Sequence, residues 1–452
     1  MSTFHPPPPY TPEQLAALYP SGLELRQVQV IFRHGERTPV NPRLQNAGVP
    51  PYWSYCHAAC RFTAAILGSH GEWDELEFQR RLETFGPNGK AVPATGPGGE
   101  IDGVCIHGEL TDRGRETTHA LGLRLRRLYV KQLGFLPEKL ADPSEYYLRA
   151  TPIVRALESL HEVFTGLYPT PYRHVGIPPP IIVTRTAADE NLFPNEANCR
   201  RFSMLARAFA DDAAKRWNHS PEMDFLNEKI GKWMPEGQRV AVDSHPRLSG
   251  LQDTVNSTLA HGPEVRLPDV FYEPQVRRIM NDINVYEWYR GYKVSHEFRK
   301  LGVGSILNDI KNRAVSVARG DEKAVKLALM GCHDTTLAGI LASLGAFDDQ
   351  WPPFTSNIAI ETFRVIDHRR SFWERVTGSN PEKGWYVRLR YNERPVVVSA
   401  CKKPGKHLEG KTSFCTMEAF KETIEKFAPK DWKRECLMNM DKPGLPPVEP
   451  VD

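Results

Sequence analysis

Arg33-His34-Gly35-Glu36-Arg37-Thr38-Pro39 sets two arginines four residues apart around a histidine. Guanidinium forks match phosphate oxygens bidentately, and a neutral imidazole can attack phosphorus, so the stretch suits a tetrahedral dianion. Glycine after the histidine lets the backbone come close. From average residue usage the pattern R-H-G-x-R-x-P arises in roughly 1 in 10,000 chains of this length, which argues against a surface turn with an incidental histidine. A second charged turn, His333-Asp334, supplies a further ligand for a phosphate oxygen in His333 and a carboxylic acid to protonate a leaving oxygen in Asp334. Alone, that dipeptide would read as a cap in front of Thr335-Thr336. Arg149 completes a three-arginine clamp in this reading, its plain alternative being a surface salt bridge.

The elements around these turns explain how they would meet. Leu25 to Phe32 alternates and then becomes wholly apolar, the pattern of a strand entering a buried sheet, and ends at Arg33-His34. Lys326 to Cys332 repeats this arrangement before His333-Asp334, with a helix predicted over Thr335 to Leu344. Tyr146 to Arg149 predicts a third strand, followed by a helix that starts at Thr151-Pro152 and carries Ile153, Leu157, Leu160 and Phe164 on one stripe. Carboxyl ends of strands in an open α/β sheet are where ligands sit. Further strands are predicted at Ile181 to Val183, Ile360 to Ile366, Trp385 to Tyr391 and Val396 to Ser399, and helices after Leu110 to Gly114 and over Met417 to Phe427.

Lysine and arginine number 58 against 55 acidic residues, a net +3 that predicts neither nucleic-acid nor membrane-surface binding. With 40% hydrophobic residues the chain is globular, and no run approaches the roughly 18 apolar residues of a spanning helix. Met1 to Tyr10 has the pattern of neither a secretory signal nor a mitochondrial presequence. An intracellular address is therefore expected, cytoplasmic before mitochondrial, with the eight cysteines mostly as thiols and Cys401 and Cys415 flanking a loop. Two motifs compete for attention. Gly405 to Thr412 matches the phosphate-binding G-x₄-G-K-[ST] loop, but too little chain follows it for a nucleotide-binding domain. Cys56 and Cys60 lack a second ligand pair for zinc.

Four stretches, RHGERTP at 33–39, LTDRG at 110–114, LRATPIVRALES at 148–159 and CHDTTLAGIL at 332–341, resemble the histidine phosphatase superfamily in its acid-phosphatase branch. That resemblance implies a phosphoglycerate-mutase-like α/β/α core with a mainly helical cap, and a phosphomonoesterase needing neither metal nor cofactor. It makes His34 the nucleophile that becomes phosphohistidine and Asp334 the proton donor, and gives Arg33, Arg37, Arg149 and His333 the phosphate-binding places. Ala150 stands where many relatives carry serine. Residues 190–194, 345–354 and 401–415 further resemble the lysophosphatidate-hydrolysing members, which implies a lysophospholipid-like monoester. Hydrolysis of inositol polyphosphates, general acid-phosphatase activity and phosphate binding without turnover are the alternatives. In domain terms, 1–20 is expected as a Pro-rich arm and 21–45, 106–195 and 315–452 as the core. Residues 46–105, dominated by loops, and 196–314, mainly helical, are expected as cap-forming insertions.

Overall fold

The computed structural model describes residues 6–445 apart from 322 and 367–381. Thirteen strands are found among the described residues. They are β1 (Leu23–Arg33), β2 (Arg61–Leu67), β3 (Trp73–Gln79), β4 (Glu83–Phe85), β5 (Ala91–Pro93), β6 (Tyr146–Ala150) and β7 (Ile182–Val183), followed by β8 (Leu327–Cys332), β9 (Asn357–Val365), β10 (Trp385–Tyr391), β11 (Arg394–Val396), β12 (His407–Leu408) and β13 (Lys411–Thr416). Nine of them form one mixed sheet in the order β12-β13-β10-β9-β1-β8-β6-β7, with β11 beside β10. β1, β8, β6 and β7 run parallel, and β9 lies antiparallel to β1.

Both faces of this sheet are covered, which is why β8 reads as an unbroken apolar run and β1 becomes apolar over Val30 to Phe32. On one face Val28, Val30, Phe32 and Leu148 pack against the helices Asp112–Leu125 and Val154–Leu167. On the other, Ile31, Met330 and Cys332 pack against the helices Gly304–Arg319, Asp334–Ser343 and Met417–Glu425. A third apolar cluster joins Trp53 and Val49 to the helices Pro221–Ile230, Leu248–Leu259 and Pro274–Val294, and forms the mainly helical cap. The expected α/β class with a helical cap is what the chain adopts.

Several local expectations need correction. Residues 46–105 are mostly loops, as expected, but β2–β3 and β4–β5 form two hairpins among them. Phe62, Leu67, Trp73, Leu76 and Phe78 stay exposed, so their alternation marks no core face. Within the expected arm, residues 1–5 lie outside the described residues, and Pro12–Leu18 is a helix closed by a capping box between Thr11 and Gln14. The helix after Thr151-Pro152 starts at Val154, and the strand expected at Val396 to Ser399 is Arg394–Val396 followed by a 3₁₀ turn. Gly405 to Thr412 holds the β12–β13 hairpin, with Gly410 at φ +70° in its turn, rather than a loop opening a helix.

Six of the eight cysteines are paired, as Cys56–Cys105, Cys199–Cys436 and Cys401–Cys415, leaving Cys60 and Cys332 free and buried. Partners 49 and 237 residues apart meet only through the fold, so their pairing cannot be read from spacing. The expectation of reduced thiols is thus overturned, and the intracellular address loses that support, since disulfides persist in oxidising surroundings. Among the described residues no helix is long and apolar enough to cross a membrane.

Candidate active site

Register assembles the site. Arg33 of β1 lies opposite Cys332 of β8, and Ala150 of β6 opposite Gly331, so three parallel strands end at one level. Backbone bonds continue past the strand ends, from the His34 amide to the Cys332 carbonyl at 3.0 Å and from the Thr151 amide to the Gly331 carbonyl at 3.2 Å. His34 and His333 consequently face each other with ring centroids 5.4 Å apart. A Cβ on Gly35 would fall 2.2 Å from the carbonyl oxygen of Gly114, so the LTDRG turn packs directly on the backbone that follows the histidine.

His34 is 2% exposed. Its Nδ1 lies 2.8 Å from the Gly35 carbonyl, an acceptor only, so Nδ1 carries the proton and Nε2 keeps its lone pair. Ser159 accepts the Gly35 amide at 3.1 Å and holds this turn from the other side. Burial first, and then the charges of Arg155, Arg33, Arg37 and His333, push His34 well below the ordinary histidine value. His333, 3.1 Å from the Thr151 hydroxyl through Nε2, is lowered by the same burial and by Arg155.

Asp334 opens the helix Asp334–Ser343. Its Oδ2 accepts from Arg33 Nη2 at 2.8 Å and from Trp351 Nε1 at 3.0 Å, and its Oδ1 accepts from the Thr335 amide at 2.8 Å. Burial would raise this carboxyl, but Arg33, Arg37 and the Trp351 bond outweigh it and hold it below the usual range. Arg33 also donates to the Pro352 carbonyl at 2.7 Å and lies over the Phe354 ring, 4.1 Å from its centroid.

Arg37 is held by a residue that the sequence did not single out. Asp253, on the cap helix Leu248–Leu259, accepts Arg37 Nη2 at 2.8 Å and the Val40 amide at 3.1 Å, with Arg43 at 3.6 Å. A single aspartate on an amphipathic helix gives no sequence signal of this contact.

Arg149 does not take the expected place. Its guanidinium is fully buried against Glu190 Oε1 at 2.5 Å and Asn191 Oδ1 at 2.8 Å, with Asp309 at 3.6 Å, which makes it the centre of a separate ion-pair network. The third arginine acting on the site is Arg155, in the first turn of the helix Val154–Leu167. Its charge is the largest electrostatic influence on both His34 and His333, and burial with Arg37 nearby lowers its own value to about 10. A signal existed: a cation in the first turn opposes the helix dipole, a cost that a purely structural arginine has no reason to carry. The Nε–H groups of Arg33, Arg37 and Arg155 are buried without a partner.

Cys56, Cys105 and Glu109 are the one group of clustered potential metal ligands found among the described residues, and the disulfide between the two cysteines removes their thiolates.

A family model described as the histidine phosphatase superfamily (branch 2) matches residues 24–392. The chain belongs to this superfamily. It is 41% identical to a Schizosaccharomyces pombe protein named "Probable acid phosphatase", over 92% of this chain and 95% of that one. To the human lysophosphatidic acid phosphatase type 6 it is 26% identical, over 84% and 80%. Identity is thus higher to the fission-yeast acid phosphatase than to the lysophosphatidic acid phosphatase whose branch the stretches at 190–194, 345–354 and 401–415 resemble. Among solved structures, the phytase from Citrobacter braakii shares the fold, with a TM-score of 0.57 at 12% identity over 92% of this chain and 100% of that one. This histidine phosphatase is thus a phosphomonoester hydrolase of the acid-phosphatase class.

Proposed function

We propose that the chain is a general acid phosphatase that hydrolyses phosphomonoesters through a phosphohistidine on His34. The observation carrying this reading is the tie between His34 Nδ1 and the Gly35 carbonyl, which leaves Nε2 as the lone nucleophilic nitrogen beside three arginines. In the first step Nε2 attacks phosphorus while the bond to the ester oxygen breaks. The proton on Asp334 passes to that departing oxygen, and Arg33, Arg37, Arg155 and His333 gather the charge on the remaining oxygens. Water then attacks phosphohistidine, gives its proton to the Asp334 carboxylate, and free imidazole and phosphate result. Arg33 holds Asp334 ionised in the empty site, and a bound phosphate dianion adds negative charge beside it, so substrate entering as the monoanion supplies the proton.

The positive charge needed on phosphate comes from guanidinium groups, so turnover is expected with chelator present. The acid-phosphatase reading is supported by the 41% identity to the fission-yeast protein named for that activity. Lysophosphatidate rests on a relative at 26% identity, and inositol polyphosphates on likeness of fold. The test is phosphate release from phenyl phosphate, lysophosphatidate and inositol hexakisphosphate, with acid-quench trapping of labelled phosphoenzyme. Wild type should turn over more than one monoester, and His34→Ala should lose at least about 10⁴-fold and trap no label. Release from none of the three, or label retained by His34→Ala, would remove the reading.

A further inference from the structure

Beside the catalytic acid lies a cavity of about 460 Å³ whose wall includes Thr335, the residue after Asp334. Phe193 lines it and meets His333 edge-on at 6.1 Å. Trp288 lines it as well and packs at 6.0 Å against Trp351, the residue that donates to Asp334. Thr335, Phe193 and Trp288 are thus shared between the cavity wall and the surroundings of Asp334 and His333, which sets the cavity next to the corner where a leaving oxygen takes its proton. The volume is within the range of small-molecule pockets.

The lining is aromatic and net negative. Phe193, Trp288 and Tyr292 form walls, while Glu196, Asp211, Asp243 and Glu287 face Arg207 and Arg247, an excess of two negative charges with His245 neutral. Glu287 is the telling member. It is 6% exposed, its Oε1 is bonded to Arg247, and its Oε2 is buried with no hydrogen-bond partner. A buried carboxylate oxygen without a donor is costly, and a cationic N–H would satisfy it. Burial pushes the Glu287 carboxyl up to about 7 against the lowering by Arg247 and Trp288, so the carboxylate that takes a cation predominates above that pH. Asp243 accepts one bond from Asn218, and Asp211 has no hydrogen-bond or ion-pair partner among the described residues. Further phosphates would be repelled here, whereas an ammonium is attracted by carboxylates and by aromatic faces alike.

We propose that this cavity is the leaving-group subsite and that it selects phosphomonoesters of amino alcohols, the carbon stem lying on Phe193, Trp288 and Tyr292 and the ammonium reaching Glu287 and Asp243. The proposal rests on the phosphatase reading above and deepens it. The experiment compares, at pH 8 where Glu287 is ionised, kcat/KM for phenyl phosphate, pentyl phosphate and 4-aminobutyl phosphate, the last two alike in length and differing in the terminal amine. Wild type should favour the amine over the alkyl ester by about tenfold, and the ratio should fall to about one in Glu287→Gln. Should that buried variant fail to fold, Asp243→Asn at the exposed rim should lower the ratio in the same direction. An amine-to-alkyl ratio of one or less in wild type overturns the subsite, as does a preference that survives in the variants. No release even from phenyl phosphate would instead overturn the phosphatase reading, and the subsite with it.

Discussion

Two buried clusters of charge flank β1 and are completed in different ways. At Glu361 on β9, Oε1 accepts from Tyr19 at 2.6 Å and from Tyr129 at 2.8 Å, while Oε2 meets Arg388 Nη2 at 2.6 Å and Arg390 Nε at 3.3 Å. Burial would raise this carboxyl, but the arginines and tyrosines hold it at about 2. Around His34, three arginines share two carboxylates, Asp334 and Asp253, and each keeps a buried Nε–H without a partner. In one cluster each carboxylate oxygen of Glu361 has two donors, only Arg390 Nε lacks a hydrogen bond among the described residues, and the cluster holds strands together. The other is short of acceptors, and a phosphate dianion brings what it lacks. A buried carboxylate with its donors complete supports stability, whereas three arginines gathered around one histidine with too few acceptors leave room for an anion.

The contrast can be broken from either side, and the largest effect belongs to the Glu361 cluster. Glu361→Ala should cost about 3–5 kcal/mol by leaving two arginines buried without their carboxylate, seen as a lower denaturation midpoint with kcat per folded molecule retained. Arg155→Ala should do the reverse, lowering kcat/KM by about 10²–10³ with a nearly unchanged midpoint. Arg149→Ala, which strands Glu190, should behave like the Glu361 variant, and so separates two arginines that lie six positions apart.

Protonation gives a subtler distinction. His34 is lowered in the folded protein, so it stays neutral and nucleophilic below the ordinary histidine value of 6.5, and kcat/KM should hold at pH 5. The same lowering makes the unfolded chain bind more protons as pH drops, with His261 lowered to about 4. The histidines' share of stability is therefore complete above about 6.5 and declines as pH falls through the acid range, whereas that of Glu361 is lost only from about 4.5 down to about 2. Urea midpoints in wild type and Glu361→Gln between pH 7 and pH 3 check this order. The smallest effect is expected of Asp253→Asn, which frees Arg37 of its carboxylate and should tighten inhibition by inorganic phosphate about threefold to tenfold.

Sequence carried the centre of the site better than its edges. His34 and Asp334 each stand two residues past an apolar run that has to be a buried strand, and parallel strands bring their ends together. Arg149 and Arg155 were indistinguishable by composition. Deciding between them requires knowing that β6 ends at Ala150 and that the chain turns before Val154, a matter of two residues in register. Asp253 was illegible because its role depends on how the cap docks against the core. The hairpins of residues 61–93 were hidden for another reason: their alternating residues face solvent on both sides, so periodicity carried no burial signal. Cys401 and Cys415 stood out as a pair flanking a short loop, whereas the other two disulfides were beyond reach for the same cause as Asp253, since only the finished fold brings Cys199 to Cys436.

β1 lies between β9 and β8, and neither neighbour is made until about 300 residues later in the chain. Loop closure over that distance is slow relative to local helix formation. The strand carrying His34 must therefore wait, unpaired and apolar, while the cap helices are synthesised and pack. Until β8 docks, the RHG turn has no His333 beside it and no Asp334 to complete Arg33. A growing or truncated chain thus holds no half-active phosphatase, and catalytic competence should appear late and all at once, in the same kinetic phase as central sheet closure.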